Sequence, residues 1–104
     1  MTVSTAEVFA ALGDDKRQHI LELLSVRGQA TATELANPLA VTRQAVTKHL
    51  LILERAGFVD SRRQGRQVQF GVRREGFERS AKWLAEITAG WDRKLAGIKD
   101  LAEG

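Results

Sequence analysis

At 104 residues the chain reads as one domain, long enough for a modest core and too short for an enzyme with elaborated lids and subdomains. It contains no cysteine, which excludes disulfides, thiolate metal ligands, iron–sulfur clusters and thiol redox sensing. The net charge is +3, but residues 41–74 hold eight Lys or Arg against Glu54 and Asp60, a local +6, while the segments before and after are slightly acidic. Such focusing is the footprint of a polyanion-binding surface, because each phosphate neutralised releases condensed counterions. A solvated basic face is the alternative. No apolar run approaches the roughly 20 residues of a membrane span, and the opening MTVSTAEVFA has neither a basic n-region nor a continuous apolar stretch for export. The expectation is a cytoplasmic protein with no membrane partner.

Helical spacing begins with Val8, Phe9 and Leu12 and stops at Gly13, expected to take the left-handed conformation after a helix end. Asp14 can cap a second helix, with apolar Ile20, Leu21, Leu23 and Leu24 at helical spacing and its end at Gly28. Thr31-Ala32-Thr33-Glu34 has the capping-box form and starts a third, short helix. Asn37-Pro38 limits it, although the last turn can still close through Leu39.

Thr42 is an N-cap for a fourth helix with an inward stripe of Val46, Leu50 and Leu53, joined by Ala45 and His49. Gly57 sits where a left-handed residue ends that helix, and Phe58 can pack back on Leu53. The period then changes to two. Val68, Phe70 and Val72 alternate with Gln67, Gln69 and Gly71 after a Gln-Gly turn, which predicts a β-hairpin tipped by Arg62, Arg63, Gln64, Gly65 and Arg66. From Glu75 helical spacing returns, and Phe77, Ala81, Leu84, Thr88, Trp91, Leu95, Ile98 and Ala102 form a heptad seam. No internal repeat or linker interrupts the chain.

Two helices joined by a tight turn, the second opening on a polar and basic face, fit a helix-turn-helix. Thr42 and its helix N-terminus can hold a phosphate. Arg43, Gln44, Thr47 and Lys48 can reach base edges or flanking phosphates, Arg and Lys favouring guanine and Gln favouring adenine. A solvated amphipathic helix is the alternative for any one of them. The basic hairpin with Arg62, Arg63 and Arg66 has the arrangement of a wing, placed to meet phosphate or minor groove.

The run ALGDDKRQHILELL, then TATELANPLAVTRQAVTKHLLILERAGFV, then RRQGRQVQF and a helix with WL and a later W, resembles the ArsR/SmtB family of winged-helix repressors over about residues 6–101. Its most specific element is the block from Thr33 to Val59. The resemblance implies a homodimer, a recognition helix at about residues 42–56, a wing at about 58–72, a C-terminal dimer helix at about 75–101, and operator binding relieved by an inducer. In metal-sensing members a Cys-x-Cys pair opens the helix before the turn; Thr31 and Thr33 stand at the matching positions, and threonine is a poor ligand for soft metals. The family's other metal site uses carboxylates and histidines of the C-terminal helix, and residues 75–104 contain no histidine. Ala40 stands where the turn of many relatives has glycine, so a left-handed residue there would be mildly strained.

His49 reads as a packed side chain with one hydrogen bond and His19 as surface, so a zinc site would need carboxylates assembled across helices or subunits. Trp91 reads as core or dimer interface, with a pocket for a small apolar effector beside it as the second reading. The expectation is therefore a mostly α single domain with a small β-hairpin wing: a winged helix-turn-helix with a long C-terminal dimerisation helix. It would be a dimeric repressor, not an enzyme, without metal or cofactor, whose partner is a pseudo-palindromic double-stranded DNA operator. The dimer would be built from Val8, Phe9, Phe77, Leu84, Trp91, Leu95 and Ile98. A coiled-coil adaptor and a non-specific DNA-compacting protein are the rival readings.

Overall fold

The computed structural model describes residues 3–103. Among them the order is α1 (Thr5–Leu12), α2 (Asp15–Arg27), β1 (Gln29–Ala30), α3 (Ala32–Leu39), α4 (Arg43–Arg55), β2 (Val59–Gln64), β3 (Gln67–Val72) and α5 (Arg74–Glu103). The sheet is antiparallel with strand order β1-β3-β2. The fold is a winged helix-turn-helix with a long C-terminal helix, as the periodicities predict.

Local hydrogen bonds fix the helix boundaries. Asp14 accepts from the N–H groups of Lys16 and Arg17 at 2.9 and 3.1 Å, and Thr42 from that of Ala45 at 3.1 Å. Thr31 and Glu34 close a reciprocal capping box. At the end of α4 the N–H of Phe58 donates to Leu53 O (2.9 Å) and that of Gly57 to Glu54 O (3.1 Å), with Gly57 at φ 85°. That is the Schellman pairing. The same pairing ends α3, through Val41 to Ala36 O and Ala40 to Asn37 O, but with alanine at φ 54° in the left-handed position. Pro38 lies inside this last turn, which closes through Leu39.

Two boundaries differ from expectation. Gly13 ends α1 at φ −82°, outside the left-handed region. Its turn needs no left-handed cap because side chains of α2 take the exposed carbonyls: Arg17 binds those of Ala10 and Ala11, and Gln18 that of Leu12. The strand β1 was not expected. It pairs Gln29 with Gly71 and Ala30 with Phe70, which ties the base of the hairpin to the end of α2.

Val8, Ile20, Leu24, Leu35, Val46, Leu50, Leu53, Phe58 and Val59 are fully buried and make one core. At roughly 1.5–3 kcal/mol per large apolar side chain removed from water, this cluster is what holds α1 to α4 and the hairpin base together. Across it, α5 is anchored at its start. Phe77 meets Phe58 edge-on at 4.8 Å, the Ser80 hydroxyl donates to Gly76 O inside the interface, and Trp83 meets Phe9 at 5.3 Å. Beyond Trp83 the helix projects, giving extents of 68 × 29 × 21 Å. Leu84, Ile87, Trp91, Leu95 and Ile98 on this projecting part are 45–60 % exposed.

This placement corrects the sequence-derived interface at Val8. Its side chain is 1 % exposed and belongs to the core of its own subunit, so it is not available to a partner. Phe9 is half-buried against Trp83, and the ring of Phe77 is shared with Phe58.

Candidate nucleic-acid interface

The N-terminal half of α4 is the most exposed polar helix face next to the hairpin. Thr42, Arg43, Gln44 and Lys48 are exposed and Thr47 is half-buried. The two threonine hydroxyls have local tasks: that of Thr42 caps the helix, and that of Thr47 donates to Arg43 O at 2.9 Å. No acidic residue stands in the first turn of α4, so the positive end of its dipole is not offset. Gln44 and Lys48, four residues apart, rise from one face of the helix.

Arg43 and Thr47 are brought together with Arg66 around a cleft of about 600 Å³ whose other walls include Thr31–Glu34, Gln67, Val68 and Phe70. Twenty-odd residues separate Arg43 from Arg66 in the chain, so only the hairpin's position against α3 and α4 creates the pair. Glu34, the carboxylate in the cleft wall, is held by Arg27 at 3.0 Å and by the Thr31 N–H at 2.9 Å. The Thr31 backbone N–H and hydroxyl, followed by the Arg27 charge, hold the Glu34 carboxyl below its ordinary range. Its negative charge is therefore already engaged, and the cleft keeps its basic character.

The hairpin arginines divide. The register pairs Arg62 with Gln69 and Arg63 with Val68, so Arg63 shares its face with Val68 and Phe70 while Arg62 lies on the opposite face with Gln69. Both are exposed. The turn at Gly65-Arg66 has Gly65 at φ 63° and places Arg66 at the tip.

Ion pairing separates two groups of cations. Arg17, Arg27, Arg55, Arg73 and Arg74 are paired with carboxylates. Among the described residues Arg43, Lys48, Arg62, Arg63 and Arg66 have no ion-pair partner. Lys16, Lys82, Arg93 and Lys94 are likewise outside these pairs, but they are scattered over α2 and α5, whereas the open cations of α4 and the hairpin are close in the fold. Thr33, Gln67 and Phe70 complete the cleft walls but carry no sequence signal that links them to Arg43.

Of the histidines, His19 is exposed, and His49 is half-buried with its Nδ1 3.2 Å from Arg17 Nη1. Among the described residues no group of three or more His, Asp or Glu side chains is placed to hold a metal ion. No helix among them is long and apolar enough to cross a membrane.

A capped helix presenting unpaired cations beside a basic hairpin defines a DNA-binding regulator of the winged helix-turn-helix class. A family model described as a helix-turn-helix domain matches residues 12–62. An HTH-type transcriptional regulator of Bacillus subtilis, YuzN, is 46% identical over 65 residues, which are 57% of this chain and 71% of that protein. An ArsR-like transcriptional regulator from Rhodococcus sp. RHA1 superposes with a TM-score of 0.83 at 42% identity, covering 94% of this chain and 92% of that one. A homodimeric winged helix-turn-helix DNA-binding domain from Mycobacterium bovis gives 0.62 at 26% identity, covering 86% and 80%. The chain belongs to the ArsR/SmtB family of winged helix-turn-helix transcriptional regulators.

Proposed function

We propose that the chain acts as a homodimeric repressor that binds a two-fold symmetric operator, with α4 in the major groove and the hairpin as a wing along the backbone. The observation that carries this reading is that Arg43 and Lys48 at the start of α4 and Arg62, Arg63 and Arg66 of the adjoining hairpin have no ion-pair partner, with Arg43 and Arg66 lining one cleft. Gln44 and Lys48 are the side chains assigned to base edges; Arg43 and Arg66, facing one cleft, suit a phosphate run between helix and wing. The N-terminal N–H groups of α4 that the Thr42 hydroxyl does not take would add to the attraction for an anion there.

The projecting part of α5 supports the dimer. Leu84, Ile87, Trp91, Leu95 and Ile98 form an apolar strip that its own subunit leaves half-exposed, and a second copy offers the matching strip. An apolar effector beside Trp91 would bind on this strip and compete with the twin chain. No catalytic role is assigned to any residue.

Gel shift with the DNA upstream of the protein's own coding region, against a scrambled duplex of equal length, tests the proposal. The operator should be preferred at least about a thousandfold at physiological salt. Equal affinities would replace repression with compaction, and no binding to either would favour an adaptor role for α5.

A further inference from the structure

We propose that Arg17 is a positioning residue for DNA recognition, holding α4 against α1 and α2 through His49, and that one proton on His49 opens this joint. The inference rests on the proposed use of α4 in binding DNA.

Arg17 stands in the first turn of α2 with its side chain 15% exposed. Its Nε donates to Ala11 O at 2.8 Å and Nη2 to Ala10 O at 3.3 Å, while Nη1 lies 3.2 Å from His49 Nδ1 and 4.0 Å from Asp14 Oδ2. One planar guanidinium thus joins the end of α1, the cap of α2 and the middle of α4. A lysine ammonium could not serve these directions from one fixed fork. On α4, His49 is the neighbour of Lys48, one of the open cations.

A guanidinium has donors and no acceptor, so His49 Nδ1 must accept and the ring proton must sit on Nε2. An imidazolium has no acceptor, and two cations cannot keep a 3.2 Å contact. The charged groups around the joint are Arg17 and Asp14 of the α2 start, with Glu7 of α1 and Arg55 of α4 paired to each other at 3.8 Å along the same groove. Asp14 stays ionised under mild acid, since the Arg17 backbone N–H, chiefly, and then the Arg17 charge hold its carboxyl below the ordinary range. Histidine is the side chain whose charge changes between about pH 5 and 8. The sign is diagnostic. Added positive charge alone strengthens binding to every duplex alike, whereas an opened joint weakens the operator selectively.

The test measures affinity of the intact protein for operator and scrambled duplex by fluorescence anisotropy at about pH 8 and about pH 5.5. The operator-to-scrambled ratio should fall about tenfold with acid in the wild type. It should change less than about twofold in His49→Asn, whose amide oxygen can accept where Nδ1 does without titrating. Arg17→Gln should show the low ratio at both pH values; should it fail to fold, His49→Asn carries the comparison. Ring-nitrogen NMR of the free protein, with the exposed His19 as internal reference, should find His49 Nδ1 without a proton at the higher pH. No fall in the wild type, an equal fall in wild type and His49→Asn, or a proton on Nδ1, overturns the proposal. Were no duplex preferred at any pH, the operator reading would fall and the DNA role of Arg17 with it, while the NMR result would still decide whether the joint exists.

Discussion

The backbone of Gly76 lies against the ring of Phe58: a Cβ on residue 76 would stand 2.8 Å from Phe58 Cδ1 and 2.9 Å from Ala56 O. The N–H of Gly76 donates to Gly57 O at 2.8 Å, so the first turn of α5 is seated directly on the end of α4. Gly76→Ala forces either the buried Phe58 ring or the backbone to move. The expected cost is about 1–3 kcal/mol, the range for overpacked cores, read as a lower urea midpoint with an unchanged slope.

Ala40 makes the opposite case. Its φ of 54° lies in the left-handed region, which costs a residue with a Cβ about 1–2 kcal/mol. Ala40→Gly removes that strain and adds about 0.4–1 kcal/mol of unfolded-chain entropy. A net gain of about 0.5 kcal/mol is expected in the same unfolding assay, with no change in operator preference.

Acid should loosen the two capped helix starts. Asp14 and Glu34 both have carboxyls held below their ordinary range, chiefly by backbone N–H groups of Arg17 and Thr31 respectively. A depressed folded-state pKa gives stability that is full above the unfolded value and is lost as pH falls through the folded one. Thermal unfolding should therefore be insensitive to these groups above about pH 5 and decline below about pH 4. In Glu34→Gln the decline should be shallower.

Readout and anchoring should separate on α4 and the wing. Gln44→Ala or Lys48→Ala is expected to change the preferred bases, at about 1–3 kcal/mol for each lost bidentate contact. Arg66→Ala, at the hairpin tip, should weaken most sequences alike and reduce the salt slope by about one. Base-resolved selection on the three variants checks this, and a consensus altered by Arg66→Ala alone would reverse the assignment.

Leu84 is 51% exposed in the single chain and leads the strip of α5. Leu84→Glu would place a carboxylate against the partner's apolar side chains, a cost of several kcal/mol unless the interface opens. Sedimentation should show the dimer weakened sharply, and gel shift should show loss of specific binding with weak general binding retained. A dimer of undiminished strength would move the interface off this strip.

Helix starts and ends were legible because caps are formed by residues three to five apart: Asp14, Thr31, Thr42 and Gly57 each act where their spacing predicts. Long-range placement was not. Val8 and Phe9 are neighbours on α1, yet one points into the core and the other to Trp83, a difference that periodicity within eight residues cannot resolve. The two residues of β1 are too few to show a period. The cleft shared by Arg43 and Arg66 exists only once β3 pairs with β1 and the hairpin is held against α3. Arg62 and Arg63, adjacent in the chain, read as one patch, but strand alternation sends them to opposite faces.

Because α5 is one unbroken helix of 30 residues, the side chains that grip the body and those that form the exposed strip are indexed on a single screw. Ser80 and Trp83 set the rotational phase, and Leu84 to Ile98 inherit it. One residue added after Trp83 would turn the strip by about 100° about the helix axis, whereas seven added residues would restore its bearing to within about 20°. Length change in this helix is thus an angular variable, and insertions of near-whole turns are the ones that would leave the bearing of the strip nearly unchanged.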